Sequence, residues 1–171
     1  AQDIPTDYPG LTELISDMFE TLAASSGVGL AAPQIGKSIR VVVIDLDILK
    51  DEFPEYAGYR HVFINAHIQE VDAKSGKVAM EEGCLSVPGL SEEVVRPTRV
   101  RVTYLDENLQ PHDEWVEGYA ARVMQHEFDH LEGKMYVDHL SPFRKQMIRN
   151  KLKAMTQGKF RAGYRTKPII K

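Results

Sequence analysis

Acidic residues are absent from positions 143–171 of this 171-residue chain, cysteine occurs once, and no apolar run approaches the roughly 18 residues a membrane-crossing helix needs. The single cysteine, Cys84, excludes an internal disulfide and, taken alone, reads as a small buried hydrophobe. No charged start, apolar stretch and small-residue cleavage site form a signal peptide, so the chain reads as cytoplasmic and no membrane partner is expected. Repeats, low-complexity segments and linkers are missing as well. With 43% hydrophobic residues at this length, one core and a single domain over 1–171 are expected.

The net charge of −4 conceals an asymmetry. Ten of the 21 cations lie in residues 143–171: Arg144, Lys145, Arg149, Lys151, Lys153, Lys159, Arg161, Arg165, Lys167 and Lys171. The remaining 11 face all 25 acids, so residues 1–142 carry −14. An acidic body bears a basic tail. Such a charge run is either a solvated face or a nucleic-acid contact.

Leu11, Leu14, Ile15, Met18, Phe19 and Leu22 step by three and four, which predicts a helix ending near Ser25-Ser26-Gly27. Ile39–Leu46 and His61–Val71 are rich enough in β-branched residues for strands, with Asp47–Arg60 a polar loop between them. Val100, Val102 and Tyr104 alternate with Arg99, Arg101 and Thr103, and His112–Gly118 follows a turn-like stretch, which predicts a hairpin. Helical spacing runs from Gly118 to Leu131, with Gly133 as its stop. The last helix has Ser141 as N-cap, Pro142 in first position and Gly158 past its end, with Phe143, Met147, Ile148, Leu152 and Met155 along one side. The pattern is α+β: mixed or antiparallel sheets around a central helix, with a C-terminal helix.

That central helix carries "QHEFDH". Histidines at i and i+4 lie one turn apart on one face, so His126 and His130 can hold one cation between them, and Glu127 occupies the general-base position of an H-E-x-x-H signature. A catalytic site needs a third protein ligand and an open position. Glu132 and Asp138 follow too closely to fold back, so Cys84, in "EEGCLSVPG", is the better candidate; thiolate binds a borderline cation strongly. Asp129 is either an orienting carboxylate for one histidine or an ordinary solvated acid. His61, His67, His112 and His139 lack partners at ligand spacing. In "GVGLAAPQIG" the absence of G-x-x-x-x-G-K-[ST] speaks against a phosphate loop, and Gln34 offers an amide donor to a polarised carbonyl.

Read together and in order, "GVGLAAPQ", "EGCLS" and "QHEFDHLEG" resemble the three signature motifs of the bacterial peptide deformylase family, and the likeness spans nearly the whole chain. The C-terminal helix looks like that of the Gram-negative-type branch. Family members usually carry a further N-terminal segment before the position of Ala1, so the beginning of this chain is expected to be incomplete.

The resemblance implies a co-translational, N-terminal protein modification in protein biosynthesis: hydrolysis of the formyl group from the N-formylmethionine of new proteins, releasing formate. Cys84, His126 and His130 would hold one divalent metal with a water in the fourth place; that water would attack the formyl carbon, with Glu127 as general base and then acid. Gln34 and the Leu85 N–H would stabilise the oxyanion. Substrate contacts are expected from Val28, Gly29, Met80, Glu82, Gly83, Tyr119, the Arg122 stem and Val123, with Glu82 and Arg96 as a supporting ion pair. The residues alone suggest zinc, since two imidazoles and a thiolate suit it. The resemblance suggests Fe2+, with Ni2+, Co2+ or Zn2+ as substitutes. The partners implied are formylmethionyl nascent peptides and, through the basic helix and tail at 143–171, the ribosome, with no DNA. A general metalloprotease would share H-E-x-x-H without needing Cys84; an RNA-binding protein without catalysis would leave Glu127 and Gln34 idle.

Overall fold

The computed structural model describes residues 1–167; Lys171, counted among the tail cations, lies outside them. The chain forms helix α1 (Leu11–Ser25), strands β1 (Gly29–Ala31), β2 (Val41–Asp45), β3 (Arg60–Val71), β4 (Lys77–Cys84), β5 (Val87–Pro97), β6 (Arg99–Leu105) and β7 (Pro111–Glu117), then helices α2 (Gly118–Leu131) and α3 (Pro142–Thr156). Five strands make one antiparallel sheet in the order β1-β2-β3-β6-β7, and β4 pairs with β5 in a separate antiparallel hairpin. The expected α+β class, with antiparallel sheets about a helix carrying the histidines, is what the chain adopts.

The two faces of the large sheet are covered by different helices. Val41 and Val43 turn toward Leu14, Met18 and Leu22 of α1, while Val42 and Ile44 turn toward Ala121, Met124 and Phe128 of α2. Side chains alternate across a strand, so a strand covered on both faces needs apolar residues at every position, which is why "VVVI" is continuous. Helix α2 lies between this sheet and the hairpin. Arg122 donates to the backbone carbonyls of Val94 and Val78, and Gln125 donates to that of Pro97. Beyond the hairpin a smaller cluster joins Val87, Leu90 and Val94 to Tyr136, Val137, Leu140 and Ile148.

Three expectations need correction. The hairpin β4–β5 was not anticipated, because its inward residues include Glu82, Glu92 and Arg96 and so break the apolar alternation. The loop at 47–60 contains two 3-10 turns, Asp47–Leu49 and Pro54–Tyr56, and the Tyr56 hydroxyl accepts a hydrogen bond from the Ala120 N–H at the start of α2. On α3 only Ile148 is buried, with Leu152 and Met155 packed beside it; Phe143 and Met147 are 70% and 59% exposed. Residues 148, 152 and 155 make one helical stripe, and 143 and 147 fall on the neighbouring one.

Ile148→Ala should therefore cost about 2–5 kcal/mol, whereas Phe143→Ala, on the same helix, should stay within about 0.5 kcal/mol. Urea unfolding of the two variants checks this; equal losses would mean the outer face of α3 is packed.

Candidate metal centre

Two elements bring the donors together. His126 and His130 project from one face of α2, with ring centroids 5.3 Å apart. Cys84 ends β4, where the pairing with β5 slips between Gly83 and Cys84. Such a bulge re-aims the following side chain, and the Cys84 sulfur comes to 3.3 Å from His130 Nε2. One ligand atom from each of Cys84, His126 and His130 lies within 4.8 Å of the others.

Glu82, two residues earlier on β4, fixes the arrangement. Its carboxylate lies 2.8 Å from His126 Nδ1; a carboxylate only accepts, so the ring donates from Nδ1 and keeps the Nε2 lone pair for a cation. Arg96 donates twice to the same carboxylate, from Nε at 2.6 Å and Nη2 at 3.0 Å, and Arg122 donates from Nη1 at 2.7 Å. Burial would raise the Glu82 pKa, but His126, Arg96 and Arg122 together hold it far below the usual carboxylate range. The expected ion pair with Arg96 is thus one part of a buried cluster. Asp129 orients neither ligand histidine; its Oδ2 accepts from Arg96 and lies 2.7 Å from His139.

Burial lowers the pKa of both imidazoles, but for His126 the Cys84 sulfur and Glu82 carboxylate outweigh it and push the value up to about 10. His130, buried and facing that positive ring, is pushed down to about 4. This donor set, two imidazole nitrogens and a cysteine sulfur, fits a divalent first-row metal.

Glu127 is the reverse of Glu82. It is 4% exposed, its Oε2 has no partner among the described residues, and burial, opposed by His126 but reinforced by Glu82, pushes its pKa up to about 7. Its room comes from Gly29 on β1: a Cβ there would sit 2.5 Å from Glu127 Oε1. Gln34 lies on a 3-10 turn, Ala32–Ile35, where the Ala31 N–H donates to its Oε1 at 2.8 Å. This leaves Nε2 to face the centre, 3.6 Å from the Cys84 sulfur and 3.1 Å from Ser86 Oγ.

A cleft of about 470 Å³ opens on these groups. Val28, Gly29, Gly83, Leu85, Tyr119 and Val123 line it. Glu82 and Arg122 reach it too, but their charged ends are spent on each other and on backbone. Met80 is outside: it pairs with Val94 in the hairpin, 37% exposed, and is not a wall residue. The sequence reading missed Arg161, Ala162, Gly163 and Tyr164, which line the same cleft. Lying in a basic tail, they gave no signal apart from the tyrosine.

A family model for polypeptide deformylase matches residues 1–146. The chain is 42% identical over 171 residues to a peptide deformylase of Cytophaga hutchinsonii, covering 100% of this chain and 91% of that one. Among solved structures, a peptide deformylase from Legionella pneumophila is 42% identical with a TM-score of 0.76, covering 92% of this chain and 87% of that one. The enzyme from Thermus thermophilus is 36% identical with a TM-score of 0.78, covering 94% and 91%.

The raised Glu127 pKa makes a stability prediction for metal-free protein. Folded chain binds more protons than unfolded between pH 4.5 and about 7, so stability should fall as pH rises through that window, by about 3 kcal/mol in all. After chelation, Glu127→Gln should melt higher than wild type at pH 8 and lose that advantage toward pH 4.5. Equal melting at pH 8 would show that the carboxylate is solvated.

Proposed function

Because the chain belongs to the peptide deformylase family and is a hydrolase, we propose that it removes the N-formyl group from the formylmethionine of newly made proteins, releasing formate. The observation that carries this reading is the buried, unpartnered Glu127 carboxylate beside the converging Cys84, His126 and His130.

Cys84, His126 and His130 would hold one divalent metal, Fe2+ by family and Ni2+, Co2+ or Zn2+ by substitution. Bound there, such a cation supplies Lewis acidity, which makes water more acidic and polarises a carbonyl oxygen. Glu127 takes the proton of the attacking water. Its raised pKa suits both that step and the return of the proton to the departing amine, as the formyl C–N bond breaks and formate keeps the water oxygen. Gln34 Nε2 and the Leu85 N–H donate to the oxyanion; losing one such donor costs about 3 kcal/mol of barrier. Gln34 suits the role because its oxygen is already anchored, so the amide cannot rotate its donor away.

Methionine fits the apolar wall of Val28, Tyr119 and Val123, with the Arg122 stem at its side. Strand β1 is an edge of the five-stranded sheet, so Val28, Gly29 and, opposite, Gly83 offer backbone to a peptide added as a further strand. Glu82 contributes by orienting His126. The whole chain acts as one catalytic domain in the cytoplasm.

Formate release from formyl-Met-Ala-Ser, measured anaerobically with Fe2+- or Ni2+-loaded protein, tests this reading. Rapid release is expected, with casein left intact and Glu127→Ala slower by about 10²–10⁴-fold. Folded, metal-bound protein that releases no formate would refute it.

The nascent substrate also gives α3 a partner, the ribosome. Arg144 is tied to Glu92 and Lys145 to the Asp138 carbonyl, but Arg149, Lys151 and Lys153 are exposed and have no acidic partner among the described residues. Neutralising those three should weaken ribosome binding and flatten its salt dependence. Unchanged binding at low salt would remove the ribosome from the proposal.

A further inference from the structure

Beyond α3 the chain turns back on itself. Gly158, at φ +72°, and Lys159 donate to the carbonyls of Met155 and Ala154, closing the helix and reversing the backbone. In the segment that follows, Phe160, Ala162 and Tyr164 are half-buried while Lys159, Arg161, Gly163 and Arg165 are exposed. Alternation of period two is that of an extended segment laid along a surface. It is laid along the cleft, where Arg161 to Tyr164 form part of the lining.

Its fastening point is specific. The Tyr164 hydroxyl donates to the Leu85 carbonyl at 2.7 Å, across 79 positions of sequence. That carbonyl belongs to the Leu85–Ser86 peptide, and the N–H of the same peptide, on Ser86, donates to the Cys84 sulfur at 3.4 Å. One peptide unit is therefore held at its oxygen by the tail and at its nitrogen by the candidate metal ligand. Leu85 is anchored by its side chain too, partly buried against the core cluster that includes Leu22 and Leu30. Its own N–H finds no acceptor among the described residues.

From this geometry we infer that the segment 159–167 is a strap belonging to the active centre, and that Tyr164 is a positioning residue which sets the Leu85–Ser86 peptide plane. The inference rests on the deformylase reading for its catalytic consequence. The Leu85 N–H belongs to the preceding Cys84–Leu85 peptide, so the fixed plane anchors the backbone just beyond that donor, while accepting a hydrogen bond at the carbonyl strengthens the Ser86 N–H as donor to sulfur. Such donors tune a ligand without touching the cation or the substrate. The basic tail thus has two faces: exposed cations outside, and inside an aromatic latch on the cleft.

The test uses the full-length chain and Tyr164→Phe, which keeps the ring and removes only the hydroxyl. With formyl-Met-Ala-Ser and Ni2+-loaded protein, kcat should fall about tenfold with KM nearly unchanged, since partners behind a ligand typically matter at that scale. In the Co2+-loaded pair, the sulfur-to-cobalt charge-transfer band should shift, because the Ser86 N–H···S bond loosens. An unmoved band together with unchanged kcat, or a kcat loss that only follows a lowered melting temperature, would overturn the role of Tyr164. Wild-type formate release in the same series judges the deformylase reading separately, and the band reports on Tyr164 whichever way that falls.

Discussion

Everything at the centre hangs on one buried carboxylate. Glu82 sits at 7% exposure where a strand of the hairpin crosses α2, and it receives Arg96 from β5, Arg122 from one turn of α2 and His126 from the next. An isolated buried carboxylate would cost several kcal/mol; here two guanidiniums and an imidazole offset it, and the excess positive charge is met by Asp129 on Arg96. Replacing a buried ion cluster by well-packed apolar residues is often neutral for stability. What the cluster adds is registry: Arg and Glu geometry is directional, so the hairpin can dock on α2 in only one position. Cys84 lies two residues from Glu82, so that docking also sets where the sulfur meets the histidines.

The same region drives two glutamates in opposite directions. Glu82 is surrounded by donors and stays ionised; Glu127, on the same helix as His126, has no donor and is lifted toward neutrality. Separation of this kind gives one fold both a permanent anion and a proton carrier near pH 7. Gly29 is what permits it, since any side chain at that position would occupy the space of the Glu127 carboxylate. A motif that reads as conformational freedom in "GVGL" is, in the folded chain, a requirement for empty volume beside the base.

Much of this was legible before any coordinates. Helix α2 announced itself by spacing and by Gly133, β2 by its continuous apolar run, and the β6–β7 hairpin by strict alternation. His126, His130, Cys84, Gln34 and Glu127 came from motif chemistry, and Glu82 with Arg96 from the family likeness. Four features were hidden for physical reasons. The β4–β5 hairpin buries charge on its inner face, so the hydrophobic pattern that reveals strands was absent. Asp129 sits between the histidines in sequence, yet a helix rotates it away from them toward Arg96. Met80 was carried over by likeness to family positions; it shares the hairpin face of Glu82 and Val94 but stands apart from the cleft lining. The strap depends on a contact across 79 residues, which no local pattern encodes.

The donors come from two elements, β4 and α2, that are held together independently by the Glu82 cluster. Without a cation, Cys84, His126 and His130 would otherwise be free to part. The cluster prevents this by preorganising one imidazole and the hairpin before any metal arrives, so less of the binding free energy is used in ordering the site. The strap extends that logic to the third side: Tyr164 fixes the peptide beyond Cys84 as Glu82 fixes the strand before it. A sulfur held from both directions along the backbone would leave a bound cation little freedom in where it sits.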